Sequence, residues 1–175
     1  MAAAPVVLGV DPGTRHTGFG IVTEVEGRLI PLDWGVISPR PSFALPDKLY
    51  FIHTALQARL EVHQPRAMAV ETLFLAKNVR SAVTLAHARG VALLTAAAAG
   101  LEVAEYSPLE VKQAVVGYGR ADKLQVQAMV QALLHLGQPV RQADAADALA
   151  VAICHLHSHR LRSSVGSPVT SRERS

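Results

Sequence analysis

Val6-Val7-Leu8-Gly9-Val10-Asp11-Pro12-Gly13-Thr14 is a short apolar run that ends abruptly in a carboxylate and a turn. The run is rich in Val and too short to span a bilayer, so it reads as a buried strand. Asp11 stands at its carboxyl end, and Pro12-Gly13 turns the chain away at once. That edge of an α/β sheet is where ligands usually bind. Taken alone, the stretch has two readings. An Asp before Pro-Gly is an ordinary turn residue, or it is a ligand. The choice depends on what the rest of the chain brings beside it.

Downstream, Thr14 to Gly20 is a glycine-containing turn that leads into a second strand, roughly Gly18 to Val25. Glu26-Gly27 turns the chain, and Arg28 to Ser38 completes an antiparallel meander. Pro31 requires that third strand to lie at an edge or to start irregularly. After a proline-marked loop, Leu45, Leu49, Ile52, Leu56 and Leu60 form one helical stripe that ends near Gln64-Pro65. Arg66 to Val70 is a fourth apolar strand, and it too ends in a carboxylate, Glu71.

Lys77 to about Ala99 reads as a long helix rich in small residues, stopping at Gly100. Such a surface permits close approach, either of the domain's own sheet or of a second subunit. Glu102 to Tyr106 suits a fifth strand. Ser107-Pro108-Leu109-Glu110 is a capping box with proline at the first helical position. A further helix begins near Asp122, and the last runs from about Ala143 to His159. Residues 160–175, rich in Ser and Arg, read as a disordered tail behind a single domain of residues 1–159. Right-handed crossovers place the fourth strand beside the first and parallel to it, so Asp11 and Glu71 leave the same sheet edge.

Composition sets outer bounds. The chain has 175 residues, with 17 Lys and Arg against 14 Asp and Glu, a net charge of +3. That mild excess permits a polyanionic partner without demanding one. A lone cysteine, Cys154, excludes an internal disulfide and suits a reducing cytoplasm. No apolar run approaches the roughly 20 residues of a membrane span, and no signal peptide is expected.

The last helix opens Gln142-Ala143-Asp144-Ala145-Ala146-Asp147. Asp144 and Asp147 share one helix face, and their neighbours are small. As a pair they also read as an N-cap and a favourable first-turn charge. Together with Asp11 and Glu71 they read differently. Four carboxylates at one edge raise each other's pKa and stay ionised together only around cations. Hard oxygen donors without suitably placed His or Cys select Mg²⁺ or Mn²⁺. Two such ions, roughly 4 Å apart, suit in-line phosphodiester hydrolysis. His155, His157 and His159 alternate, which spreads them around a helix; they read as surface residues.

Four motifs in order, Leu8 to Arg15, Val70-Glu71 with Phe74 to Asn78, Val111 to Gly117, and Gln142 to Ala150, resemble those of the RuvC family of bacterial Holliday junction resolvases. The resemblance runs over roughly Leu8 to His157. It implies an α/β, ribonuclease-H-like fold: a five-stranded mixed sheet flanked by helices. It also implies a homodimer that makes paired, metal-dependent nicks in four-way DNA junctions, leaving 5′-phosphate and 3′-hydroxyl ends. It makes Asp11, Glu71, Asp144 and Asp147 the catalytic acids and metal ligands. Phe74 becomes the aromatic that stacks on bases near the crossover. Lys112 and Lys123 become the cations near the scissile phosphate, while Lys77, Asn78 and Arg80 track the backbone. It further implies cooperation with the RuvA–RuvB branch-migration motor. The chain departs from the family pattern at Thr72 and His16. Three other readings stay open: a non-catalytic junction-binding protein, an RNA nuclease, and an actin-like phosphotransferase of related fold.

Overall fold

The computed structural model describes residues 5–72 and 79–165. In chain order the elements are β1 (Val6–Asp11), β2 (Thr17–Val25), β3 (Arg28–Ile37), α1 (Leu45–His63), β4 (Ala67–Glu71), α2 (Val79–Ala98), β5 (Glu102–Tyr106), α3 (Pro108–Val116), α4 (Lys123–Leu133) and α5 (Ala143–Val165). The strands form one sheet in the order β3-β2-β1-β4-β5. The first three are antiparallel neighbours, while β4 and β5 extend the sheet in parallel with β1. This is the five-stranded mixed sheet expected from the sequence.

Register carries the functional consequence. Val10 pairs with Val70, so Asp11 and Glu71 occupy the next position on neighbouring parallel strands. Asp11 also pairs with Gly18 at the start of β2. Tyr106 pairs with Glu71 at the end of β5. Thr17 pairs with Ile37, so β3 ends at this edge as well. Pro31 sits where the β2–β3 register shifts, on the outermost strand. There its missing N–H costs no ladder bond.

Helices cover both faces. The face carrying Leu8, Val10, Phe19, Ile21 and Met68 packs on Ile52, Leu56 and Leu60 of α1 and Ala88, Ala92 and Ala96 of α2. The other face receives α5, with α3 and α4 outside it: Val7, Val22 and Ala69 meet Leu149, Ile153 and Leu156 in a second cluster. Each fully buried Leu or Ile contributes about 1.5–3 kcal/mol through apolar burial. The small residues of α2 thus serve its own domain on one side. On the other, Val79, Val83 and Leu94 stay exposed.

Three expectations need correction. Ser81–Ala98 of α2 reaches, by length and composition alone, what a membrane-crossing helix needs. Within it Arg89 is buried and ion-paired to Glu105, which ties the helix to the sheet. The histidines of α5 are not all surface residues. His155 is buried, with its Nδ1 3.0 Å from the Tyr106 hydroxyl. His157 is half-buried and donates from Nδ1 to the Ala114 carbonyl at 2.9 Å. The cause is position: α5 is sandwiched between the sheet and α3, so even its polar stripe is covered. The helix also continues to Val165, beyond the end expected near His159.

Candidate active site

Three elements deliver the acids. Asp11 ends β1 and Glu71 ends β4 because buried apolar strands stop where the chain reaches solvent. The turn after Asp11 is stapled: the Thr17 hydroxyl donates to the Gly13 carbonyl at 2.6 Å and accepts from the Gly13 N–H at 3.2 Å. Gly13 is required there, since a Cβ would lie 2.3 Å from the His16 carbonyl oxygen. The third element is the first turn of α5, where Asp144 and Asp147 are half-buried beside fully buried Ala145, Ala146 and Ala148.

Backbone proximity on this scale requires glycine beneath α5. A Cβ on Gly18 would stand 1.9 Å from the Asp144 carbonyl oxygen, and one on Gly9 2.0 Å from that of Ala148. The glycines of β1 and β2 therefore form a bed that lets the helix drop onto the sheet and bring its acids to Asp11.

The electrostatics record the convergence. The Asp11 carboxyl is pushed up to about 7, first by removal from water and then by the charges of Asp147, Asp144 and Glu71, with Lys123 opposing. Glu71 is raised as well, by desolvation and by Asp147, while Lys112 and Lys123 pull it down. The Lys123 ammonium donates to Asp147 Oδ2 at 2.7 Å, and its pKa rises mainly through that bond. Lys112 and Lys123 thus both reach the acids, from α3 and α4. Phe74, Lys77 and Asn78 lie outside the described residues, as does the side chain of Arg80.

As placed, no three His, Cys, Asp or Glu side chains among the described residues are grouped closely enough to share an ion. Asp147 is turned to Lys123 instead. The donor set nonetheless fits a hard divalent cation: four carboxylates from three elements, with one proton affinity driven toward neutrality by the others.

Sequence reasoning missed Arg89. Its guanidinium, buried under α2, donates to the backbone carbonyl of Glu71 and to Glu105 Oε2. It therefore fixes the strand end that presents Glu71. The available signal was an Arg in the middle of a largely apolar helix, between Ala88 and Gly90, which requires a buried partner. Arg89→Met should lower stability by about 1–3 kcal/mol, the scale of charge-assisted hydrogen bonds, and slow catalysis by loosening Glu71. Thermal unfolding and single-turnover nicking check this together.

A ribonuclease-H-like sheet with carboxylates gathered at its carboxyl edge is the equipment of a phosphodiester-cleaving nuclease. Comparison makes that class specific. The family model described as crossover junction endodeoxyribonuclease RuvC matches residues 7–155. A RuvC protein of Syntrophomonas wolfei is 54% identical over 164 residues, 94% of this chain and 95% of its own. The structure of Thermus thermophilus RuvC in complex with Holliday junction substrate superposes with a TM-score of 0.85 at 35% identity, covering 90% of this chain and 96% of that one. The yeast mitochondrial Holliday junction resolvase Ydc2 shares the fold at a TM-score of 0.67 and 14% identity, over 90% of this chain and 80% of its own. The chain belongs to the RuvC family of crossover junction endodeoxyribonucleases.

Proposed function

We propose that the protein resolves four-way DNA junctions by paired nicks, with Asp11, Glu71, Asp144 and Asp147 as its catalytic acids. The observation that supports this most is the raised Asp11 carboxyl, crowded by acids from β4 and α5 at one sheet edge. The four side chains would hold two Mg²⁺ or Mn²⁺ ions. When bound, these ions activate water and stabilise the leaving oxygen. The protein's own part is to hold the acids against mutual repulsion and to bring cations to the phosphate. Lys112 and Lys123 supply those cations, and Lys123 exchanges Asp147 for the scissile phosphate as substrate arrives. The products are a 5′-phosphate and a 3′-hydroxyl, which a ligase can reseal. Phe74, with Lys77, Asn78 and Arg80, is assigned to the opened crossover by its place in the motif. Cytoplasmic DNA, with RuvA–RuvB driving branch migration, is the setting the family implies.

The test is incubation with a mobile synthetic junction and Mg²⁺ or Mn²⁺, followed by mapping of both strands. Symmetric paired nicks across the crossover support the reading. Binding without nicks, or equal cutting of structured RNA, sinks it.

Repulsion among the acids gives a pH prediction without catalysis. A carboxyl whose folded pKa lies above its unfolded value binds more protons folded than unfolded, so stability falls as pH rises between the two. For Asp11 that window runs from 3.8 to about 7. Metal-free protein should therefore melt at a lower temperature at pH 8 than at pH 5.5. Mg²⁺ should stabilise it more at pH 8. Calorimetry at both pH values, with and without the ion, checks the sign.

A junction with two-fold symmetry calls for two active sites in a two-fold dimer. The exposed stripe Val79, Val83, Ala86, Gly90 and Leu94 on α2 suits the contact. Among the described residues a Cβ on Gly90 meets nothing within 4 Å, so a partner helix has room to approach. Leu94→Glu should convert dimers to monomers at micromolar concentration in light scattering. An unchanged mass would exclude this face.

A further inference from the structure

Arg15 and His16 line two cavities at once. One, of about 550 Å³, opens between the β1–β2 turn and α2, with Ser81, Thr84 and Asp144 in its walls. The other, of about 340 Å³, continues from Arg15 and His16 past Pro39 and Pro41 to Lys48. Sharing Arg15 and His16, the two cavities adjoin, and together they make a trough with Asp144 at its inner end and Lys48, in the first turn of α1, at its outer end. Among the described residues its outer half has no carboxylate in its walls. Arg40, exposed between the two prolines, adds a further cation and lies 5.8 Å over the Phe43 ring. Asp47, in the first turn of α1, is the adjacent acid in the chain.

Topology explains why this trough has a use. The ends of β3, β1, β4 and β5 share one sheet edge, with the acids of β1 and β4 in the middle. Lys112 and Lys123 act on those acids from α3 and α4, the helices that follow β5 and pack outside α5. The segment after β3 forms the opposite wing. A DNA strand crossing the acids is repelled by them and needs positive surface on both sides. The α3–α4 wing supplies one side. The geometry points to the trough of Arg15, His16 and Lys48, with Arg40 exposed between its two wall prolines, as the other: the seat of the duplex arm that leads away from the nicked phosphate. This rests on the reading of the protein as a junction nuclease. Pro39 and Pro41 fit the role, because they restrict the backbone that carries Arg40 before any DNA arrives. His16 is braced likewise, with Nδ1 3.0 Å from the Ser38 hydroxyl.

The test uses the full-length protein, without divalent ion, and four-way junctions whose arms are lengthened stepwise from a fixed core. Fluorescence anisotropy reads affinity as a function of salt. Wild-type affinity should rise as the arms grow long enough to reach the trough. R40A/K48A should lose that gain, at roughly tenfold per phosphate contact near 0.1 M salt, with the salt slope falling by about 0.9 per contact. K48R should restore its share. Arms too short to reach should bind both proteins equally. Equal affinity and slope at every arm length overturns the proposal, as does an equal loss at every arm length, which would place these residues at the core. Unfolding temperatures confirm that the variants fold. Failure of the wild type to bind any junction is a different result: it overturns the functional reading, and this proposal with it.

Discussion

Asp11→Asn should reduce junction nicking by roughly 10²–10³-fold, the scale of losing one preorganised group at a reacting centre, while junction binding survives. The expectation comes from the position of Asp11 rather than from its type. It is the carboxylate on which the charges of Asp144, Asp147 and Glu71 all act, so it is the group a cation gains most by joining. Asparagine keeps the shape and removes the charge. With one charge fewer, the remaining acids repel the DNA backbone less, so affinity at low salt should hold or rise. The measurements are single-turnover nicking with Mg²⁺ and equilibrium binding in its absence. Wild-type cutting by Asp11→Asn would refute the assignment of the four acids. Loss of binding as well as cutting would make Asp11 a residue of the fold and not of the chemistry. Melting separates that case: removing repulsion should raise the metal-free stability of the variant at pH 8.

Asp11 and Glu71 are legible from the chain alone because local and global signals agree there. Apolar strands, each ending in an acid, joined by a crossover of fixed hand, have few ways to sit side by side. The Ser107–Glu110 capping box and the helix start near Asp122 were legible for the same reason: the signals that start a helix lie within one turn. What stayed hidden depends on residues distant in the chain. Arg89 reads as a polar interruption of an apolar helix until α2 is laid over the end of β4, where it meets the Glu71 carbonyl. His155 alternates with His157 like a surface pair, yet a third layer of helices covers it. The orientation of Asp147 toward Lys123 was likewise out of reach, because 24 residues separate the partners. Gly9, Gly18 and Gly20 fall between these cases. Their spacing in β1 and β2 was plain, but nothing local says that a helix 130 residues away needs their missing side chains.

Gly18→Ala should test that need more sharply than any change of an acid. The added methyl carbon would stand 1.9 Å from the Asp144 carbonyl oxygen and 3.1 Å from the Ala145 nitrogen, both backbone atoms that cannot swing aside. The clash can be relieved only by lifting the first turn of α5 or by bending β2 away from it. Ala145, Ala146 and Ala148 are buried to 1% exposure or less, so any lift opens voids beneath them. Overpacking of this kind costs about 1–3 kcal/mol. Catalysis should fall further than stability, because displacing a catalytic group by about 1 Å costs on the order of 10²-fold in rate. Gly35→Ala is the matched control: on the edge strand its new carbon meets, among the described residues, the Phe19 ring at 3.2 Å and no part of α5, so it can cost stability as that buried ring gives way but should leave nicking nearly unchanged. The predicted pattern is a moderate drop in melting temperature and a loss of nicking near 10²-fold for Gly18→Ala, measured under saturating Mg²⁺. If Gly18→Ala melts lower yet nicks at the wild-type rate, the height of α5 over the sheet does not set the reach of Asp144. The glycine bed would then be a packing feature, with the acids positioned by Lys123 and bound cations instead.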